Sequence, residues 1–128
     1  ETVDELVQTA RTAAAPGTTA ALRERLARTY GDDWTRVSAR IAADAAMAEP
    51  LSSTCEVTVA EVLHAIEEEA ATTLTDVLLR RTGAGSTGHP GAVAVQATVD
   101  VIAPRLGWDG ARLARERAAL DRVYPLPR

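Results

Sequence analysis

Thr58-Val-Ala-Glu-Val-Leu-His-Ala-Ile-Glu-Glu-Glu-Ala-Ala-Thr-Thr-Leu-Thr-Asp-Val-Leu-Leu-Arg-Arg-Thr82 is the stretch that decides the fold. Thr58 stands three residues before Glu61, ahead of an apolar run. That spacing is a capping box, in which a hydroxyl and a carboxylate satisfy the free N–H groups of a helix start. Val59, Val62, Leu63, Ile66 and Ala70 then form a helical stripe. Glu61, Glu67 and Glu68 are expected mostly to face solvent. The β-branched pair Thr72-Thr73 interrupts or bends this helix. Thr73 is spaced to cap a short further helix from Leu74 to about Arg81. Asp76 falls in its favourable first turn, and Arg80 and Arg81 fall at its negative end. Glu69 is placed to meet Arg80 or Arg81 across the bend and lock the two helices together. A buried ion pair that loses one partner costs about 3–5 kcal/mol, so Glu69→Ala is expected to destabilise the chain strongly.

The pattern outside this stretch is also helical. Val3, Leu6, Val7, Ala10 and Ala14 share a face, and Pro16-Gly17 ends that segment. Leu22, Leu26 and Tyr30 recur every four residues before Gly31. Asp33 is suited to cap a third helix with Trp34, Val37, Ile41 and Ala45 inward. Pro50 and Ser52-Ser53-Thr54 make the next break. Residues 82–91 are Gly-rich and read as a loop. Ala92 to Leu106 hints at alternation, but Val95, Val99, Ile102 and Leu106 fit a helix face better. Gly107-Trp108-Asp109-Gly110 introduces a last helix with Leu113, Leu120 and Tyr124. The expectation is an all-α bundle of six or seven short helices with no internal domain boundary.

Composition narrows the function classes. The chain has 128 residues and a formal net charge of −4, with 46% hydrophobic and 25% charged residues. All 14 basic residues are Arg, Lys, Asn and Phe are absent, and 26 residues are Ala. This is the imprint of a GC-rich gene rather than of Arg-driven chemistry. The acidic balance argues against a nucleic-acid binder. Cys55 is alone, which excludes a disulfide scaffold and a cysteine-based zinc site. No apolar run reaches the roughly 18–20 residues of a membrane span. The acidic opening, Glu1-Thr-Val-Asp-Glu5, does not read as a signal peptide. A start without Met suggests a piece of a longer protein.

Three groups invite chemistry and each has a plainer reading. Gly83-Ala-Gly85-Ser-Thr-Gly88 matches G-x-G-x-x-G, but a dinucleotide site needs a strand before it, and a capped helix precedes it here. The favoured reading is a loop. Glu61, His64 and Glu68 are spaced for metal ligation from one helix face. H-E-x-x-H is absent and His89 lies in a loop, so a polar helix face is favoured and no metal site is expected. Cys55 has no nearby basic partner to activate it. No Ser/His/Asp grouping stands out.

The stretch 60–82 resembles the C-terminal helical domain of FAD-dependent glycerol-3-phosphate dehydrogenases and oxidases. The matching positions are Glu61, Val62, Ala65, Glu69, Ala71, Leu74, Asp76, Leu78, Arg80, Arg81 and Thr82. Leu106-Gly107-Trp108-Asp109 is similar to the family's L-G-W-D, and Leu26 to Gly31 to its L-x-x-x-Y-G. His64 stands where the family commonly has Tyr, and Glu67 where a basic residue is usual. The resemblance covers roughly 18–124. It implies a C-terminal helical cap domain over 18–128, with 1–17 a separate N-terminal helix or extension. It implies a parent enzyme that oxidises glycerol 3-phosphate to dihydroxyacetone phosphate and passes electrons to FAD, then to quinone or oxygen. FAD and substrate would sit in an N-terminal FAD-binding region of the same chain, the domain's partner. The implied location is cytoplasmic, peripheral to the inner face of the membrane. This chain would hold no catalytic, cofactor-binding or metal residue; Glu69, Asp76, Arg80 and Arg81 would serve structure or the domain interface. The alternative is a free-standing helical interaction module without enzyme activity.

Overall fold

A computed structural model describes residues 2–81 and 90–123, apart from the side chains at 80 and 81. Six α-helices and one two-stranded hairpin occur among these residues, so the fold is broadly all-α. By its contacts the chain divides into two compact units, 1–49 and 50–128, where the sequence reading drew no internal boundary. The break falls at Glu49/Pro50, where the helical pattern gives way to extended chain.

In the first unit, α1 spans Val3–Thr12 and α2 spans Ala20–Tyr30. A capping box starts α1: the Glu5 N–H donates to Thr2 Oγ1 at 3.1 Å, and the Thr2 N–H donates to Glu5 Oε2 at 3.4 Å. Thr19 starts α2 by accepting from the Leu22 N–H at 3.1 Å. Val7, Ala10, Leu26 and Ala27 are buried. Val3 is 61% exposed and Ala14 lies past the helix end, so the inner face of α1 is shorter than the sequence pattern suggests. Gly17 has φ +79°, and a Cβ there would stand 2.9 Å from Ile41 Cγ2. Glu24 accepts from Arg11 at 2.9 Å and Arg28 at 3.3 Å. These hydrogen bonds, Arg11's first, hold its carboxyl below the usual carboxylate range.

The third helix, α3, spans Trp34–Ala43 and buries Trp34, Val37 and Ile41. Asp33 does not cap it. Asp33 already has helical backbone angles in the 3₁₀ turn Gly31–Asp33, so its carboxylate makes no cap bond there. Ala45 also falls outside α3 and is exposed, because Asp44 opens a separate 3₁₀ turn by accepting from the Ala46 N–H at 3.0 Å.

The second unit opens with an unexpected antiparallel hairpin, β1 (Pro50–Ser52) and β2 (Cys55–Thr58). Its strands are shorter than the window over which alternation can be read. Leu51 and Val57 point inward and join the core. α4 spans Val59–Glu67 and starts from the expected capping box. Glu61, however, is fully buried rather than outward-facing. Its Oε2 accepts from the Thr58 N–H at 2.7 Å and the Thr58 hydroxyl at 2.9 Å, so the carboxylate is drawn back under the strand–helix junction.

The chain then turns at Ala70, whose φ of +57° lies in the left-handed region. Ala71 closes the turn by donating to Ala65 O at 3.0 Å. A helical segment starts at Leu74 as expected, but over Asp76–Arg81 it is wound as a π-helix. Beyond the undescribed residues, α5 spans Ala92–Leu106, with Val95, Val99 and Ile102 buried as the helical reading requires. Gly107, at φ +68°, ends it, and the Trp108 N–H donates to Ala103 O at 3.0 Å. The last helix, α6, spans Gly110–Val123 and buries Leu120. Tyr124 lies outside the described residues.

Candidate functional site

The best-defined polar arrangement sits where α6 meets the bend that follows α4. Asp109 begins it by accepting from the Arg112 N–H at 2.8 Å, which caps α6. About two turns on, Glu116 points back toward the bend and is 9% exposed. Its Oε1 accepts from the Leu74 N–H at 2.8 Å. That N–H belongs to the first turn of a helix and has no partner within it. An anion there also meets the positive end of the helix dipole.

Arg112 completes the arrangement. Its Nε donates to Glu116 Oε2 at 2.9 Å, and its Nη2 donates to Thr72 O at 3.2 Å. The guanidinium lies 5.1 Å from the centre of the Trp108 ring, a cation–π contact. Thr73 supplies the local cap, its Oγ1 accepting from the Asp76 N–H at 3.0 Å. The bend is therefore held through its backbone, at Thr72 and Leu74, by side chains some 40 residues away. Neither Arg112 nor Glu116 was singled out by sequence reasoning. The only available signal was their i,i+4 spacing, which ordinary surface pairs share.

The residues the sequence did single out fare differently. Glu69 is half-buried, and its Oε1 is enclosed. The side chains of Arg80 and Arg81 lie outside the described residues, and so does the proposed pairing with Glu69. Asp76 is half-buried in the segment that Thr73 caps. Glu61, His64 and Glu68 do not share one environment: the first two are fully buried, and Glu68 is exposed. Glu61 is committed to Thr58. No group of three or more His, Cys, Asp or Glu suited to a metal ion occurs among the described residues. Cys55 is half-buried.

The residues 83–88 and His89 lie outside the described residues, but their lead-in does not. It is helical from Leu74, not the strand that a dinucleotide fold requires. The two described strands form an antiparallel hairpin rather than part of a parallel sheet. The described residues therefore do not supply the strand–turn–helix setting that the G-x-G-x-x-G pattern needs. A hollow of about 150 Å³ lies between the turn Ser52–Thr54 and the start of α5, Pro90–Ala94. No helix among the described residues is long and apolar enough to cross a membrane.

Comparison with known families decides what this helical architecture is. The model of one family, the C-terminal domain of alpha-glycerophosphate oxidase, matches residues 3–113. The chain belongs to that family. The matched span opens in α1 and closes in α6. It contains the bend, the Leu106-Gly107-Trp108-Asp109 sequence and Arg112; Glu116 lies just beyond it. No curated protein and no solved structure matches the chain.

Proposed function

We propose that this chain is the non-catalytic C-terminal accessory domain of an FAD-dependent glycerol-3-phosphate dehydrogenase. The observation that carries this reading is the family match over residues 3–113. In the parent enzyme, the secondary alcohol of glycerol 3-phosphate becomes the ketone of dihydroxyacetone phosphate. The two electrons pass to FAD and then to quinone. FAD and substrate belong to an N-terminal region of the same polypeptide, against which this domain packs. The parent works in the cytoplasm, peripheral to the inner face of the membrane. The helical character of the described residues supports a chain that neither binds FAD nor turns over substrate.

The test uses the complete gene product. Purified with its native N-terminal region, it is expected to carry bound flavin that glycerol 3-phosphate bleaches without oxygen. Re-oxidation by a soluble quinone analogue should outpace re-oxidation by oxygen, with little peroxide formed. Rapid peroxide formation would reassign the acceptor to oxygen. A complete product without flavin, or with flavin that glycerol 3-phosphate leaves oxidised, overturns the reading and favours an interaction module.

A further inference from the structure

The segment after the bend is wound unlike the other described helices. Over Asp76–Arg81 it is a π-helix, which closes i→i+5 hydrogen bonds and holds more residues per turn than an α-helix. Its entry is different: the Val77 N–H donates to Thr73 O at 3.1 Å, an α-type spacing. The winding thus changes within the segment. Such local insertions recur at functional sites.

The backbone just upstream of this change is fixed from α6. Glu116 takes the Leu74 N–H, and Arg112 takes the Thr72 carbonyl. Upstream again, Ala70 is held in the left-handed region. That conformation costs a non-glycine residue energy and persists only where its surroundings impose it. The core itself does not demand π winding. Leu74, Val77 and Leu78 are fully buried. They stand at i, i+3 and i+4, a spacing that shares one face of an ordinary α-helix. Rewinding to α keeps all three on the core side.

We propose that residues 72–81 form a two-state joint. In one state the segment is π-wound and latched by Glu116 and Arg112. In the other the latch is open and the segment is α-wound. Its far end is then turned about the helix axis by about one residue, roughly 100°. A partner that draws off either latch side chain biases the joint toward the α-wound state. This inference stands apart from the parent reaction and concerns the chain by itself.

Amide exchange on the 128-residue chain tests it. Glu116→Gln keeps an acceptor for Leu74 but removes the charge opposite Arg112; Arg112→Lys keeps the charge but loses the fork. In both variants the amides of 74–79 are expected to exchange about tenfold faster, while those of Val95, Val99 and Ile102 stay unchanged. Deletion of Leu79, which is half-buried, removes the surplus residue and should lock the α-wound state. That deletion variant is expected to stay folded with a lowered melting temperature, and adding Glu116→Gln should no longer alter exchange at 74–79. Three results overturn the joint: no change in either point variant, acceleration spread equally into α5, or a deletion that unfolds the second unit.

Discussion

In residues 1–49 a cation closes the C-terminal end of a helix; in residues 50–128 an anion closes the N-terminal end of one. Arg23 donates through Nε to Ala10 O at 2.8 Å and through Nη2 to Arg11 O at 2.8 Å. Both carbonyls belong to the last turn of α1, where backbone donors run short; Ala10 O also accepts from the Ala13 N–H at 3.3 Å, so Arg23 adds a second donor there. Its Nη1 also donates to Thr18 O at 3.0 Å and Thr18 Oγ1 at 2.9 Å. Glu116 is the opposite case, accepting from Leu74 at the start of a helix. Each charge sits at the dipole end that favours it. The contrast lies in the surroundings. Arg23's bonds are exposed or half-buried, whereas the Glu116–Leu74 bond is buried. Water can replace Arg23; it cannot as readily replace Glu116.

This difference orders the expected effects of substitution. Glu116→Ala strands a buried N–H and leaves Arg112 without its carboxylate. The loss should be about 3 kcal/mol of unfolding free energy, read by chemical denaturation. Gly17→Ala forces alanine into the left-handed region and against Ile41. It should cost about 2 kcal/mol, measured the same way. Arg23→Ala should cost less, about 1 kcal/mol, because solvent reaches the carbonyls it leaves. A cost at Arg23 equal to that at Glu116 would break the comparison.

Two smaller effects sharpen it. Ala70→Gly relieves a left-handed residue on an exposed turn and should raise stability by about 0.5–1 kcal/mol. Glu24 gives the weakest and most local effect. Its carboxyl is held below its ordinary value of 4.5 by Arg11 and Arg28. A group depressed on folding contributes stability above its unfolded pKa, and that contribution is lost as pH falls through the folded value. The contribution should therefore be intact at neutral pH and fade below about 4.5. Removing it by Glu24→Gln should lower the melting temperature slightly at neutral pH, leave it unchanged in acid, and so flatten the acid limb of the melting profile a little.

The sequence was legible where a residue acts on its own neighbours. The Thr58–Glu61 box and the Thr73 cap both require only residues three apart. The α5 face and the start at Leu74 followed from spacing along one element. Local rules failed where two neighbours competed. Asp33 looked like a cap, but a 3₁₀ turn had already absorbed it. Glu61 looked like a solvent-facing residue, although its capping role pulls it inside. The hairpin at 50–58 was too short to register as alternation. The division at Glu49/Pro50 falls at the break that Pro50 marks, which in sequence reads as a turn between helices rather than as a boundary between units.

The bend itself illustrates the limit. The sequence places it at Thr72-Thr73 and offers Glu69 with Arg80 or Arg81 as a lock from the same stretch, a pairing that lies outside the described residues. The described lock comes from Arg112 and Glu116, whose partners lie 40 and 42 residues away. No spacing rule spans that separation, because only packing brings α6 to the bend. The charged residues along α6 differ little in sequence; what distinguishes Glu116 is burial.

A double-mutant cycle on Arg112 and Glu116 tests this account most directly. Unfolding free energies are measured for wild type, Arg112→Ala, Glu116→Ala and the double variant. A single clamp predicts coupling of about 1–2 kcal/mol, with the double variant losing clearly less than the sum of the single losses. Additive losses would show that the two side chains act independently, and would contradict a bend held by one clamp from α6.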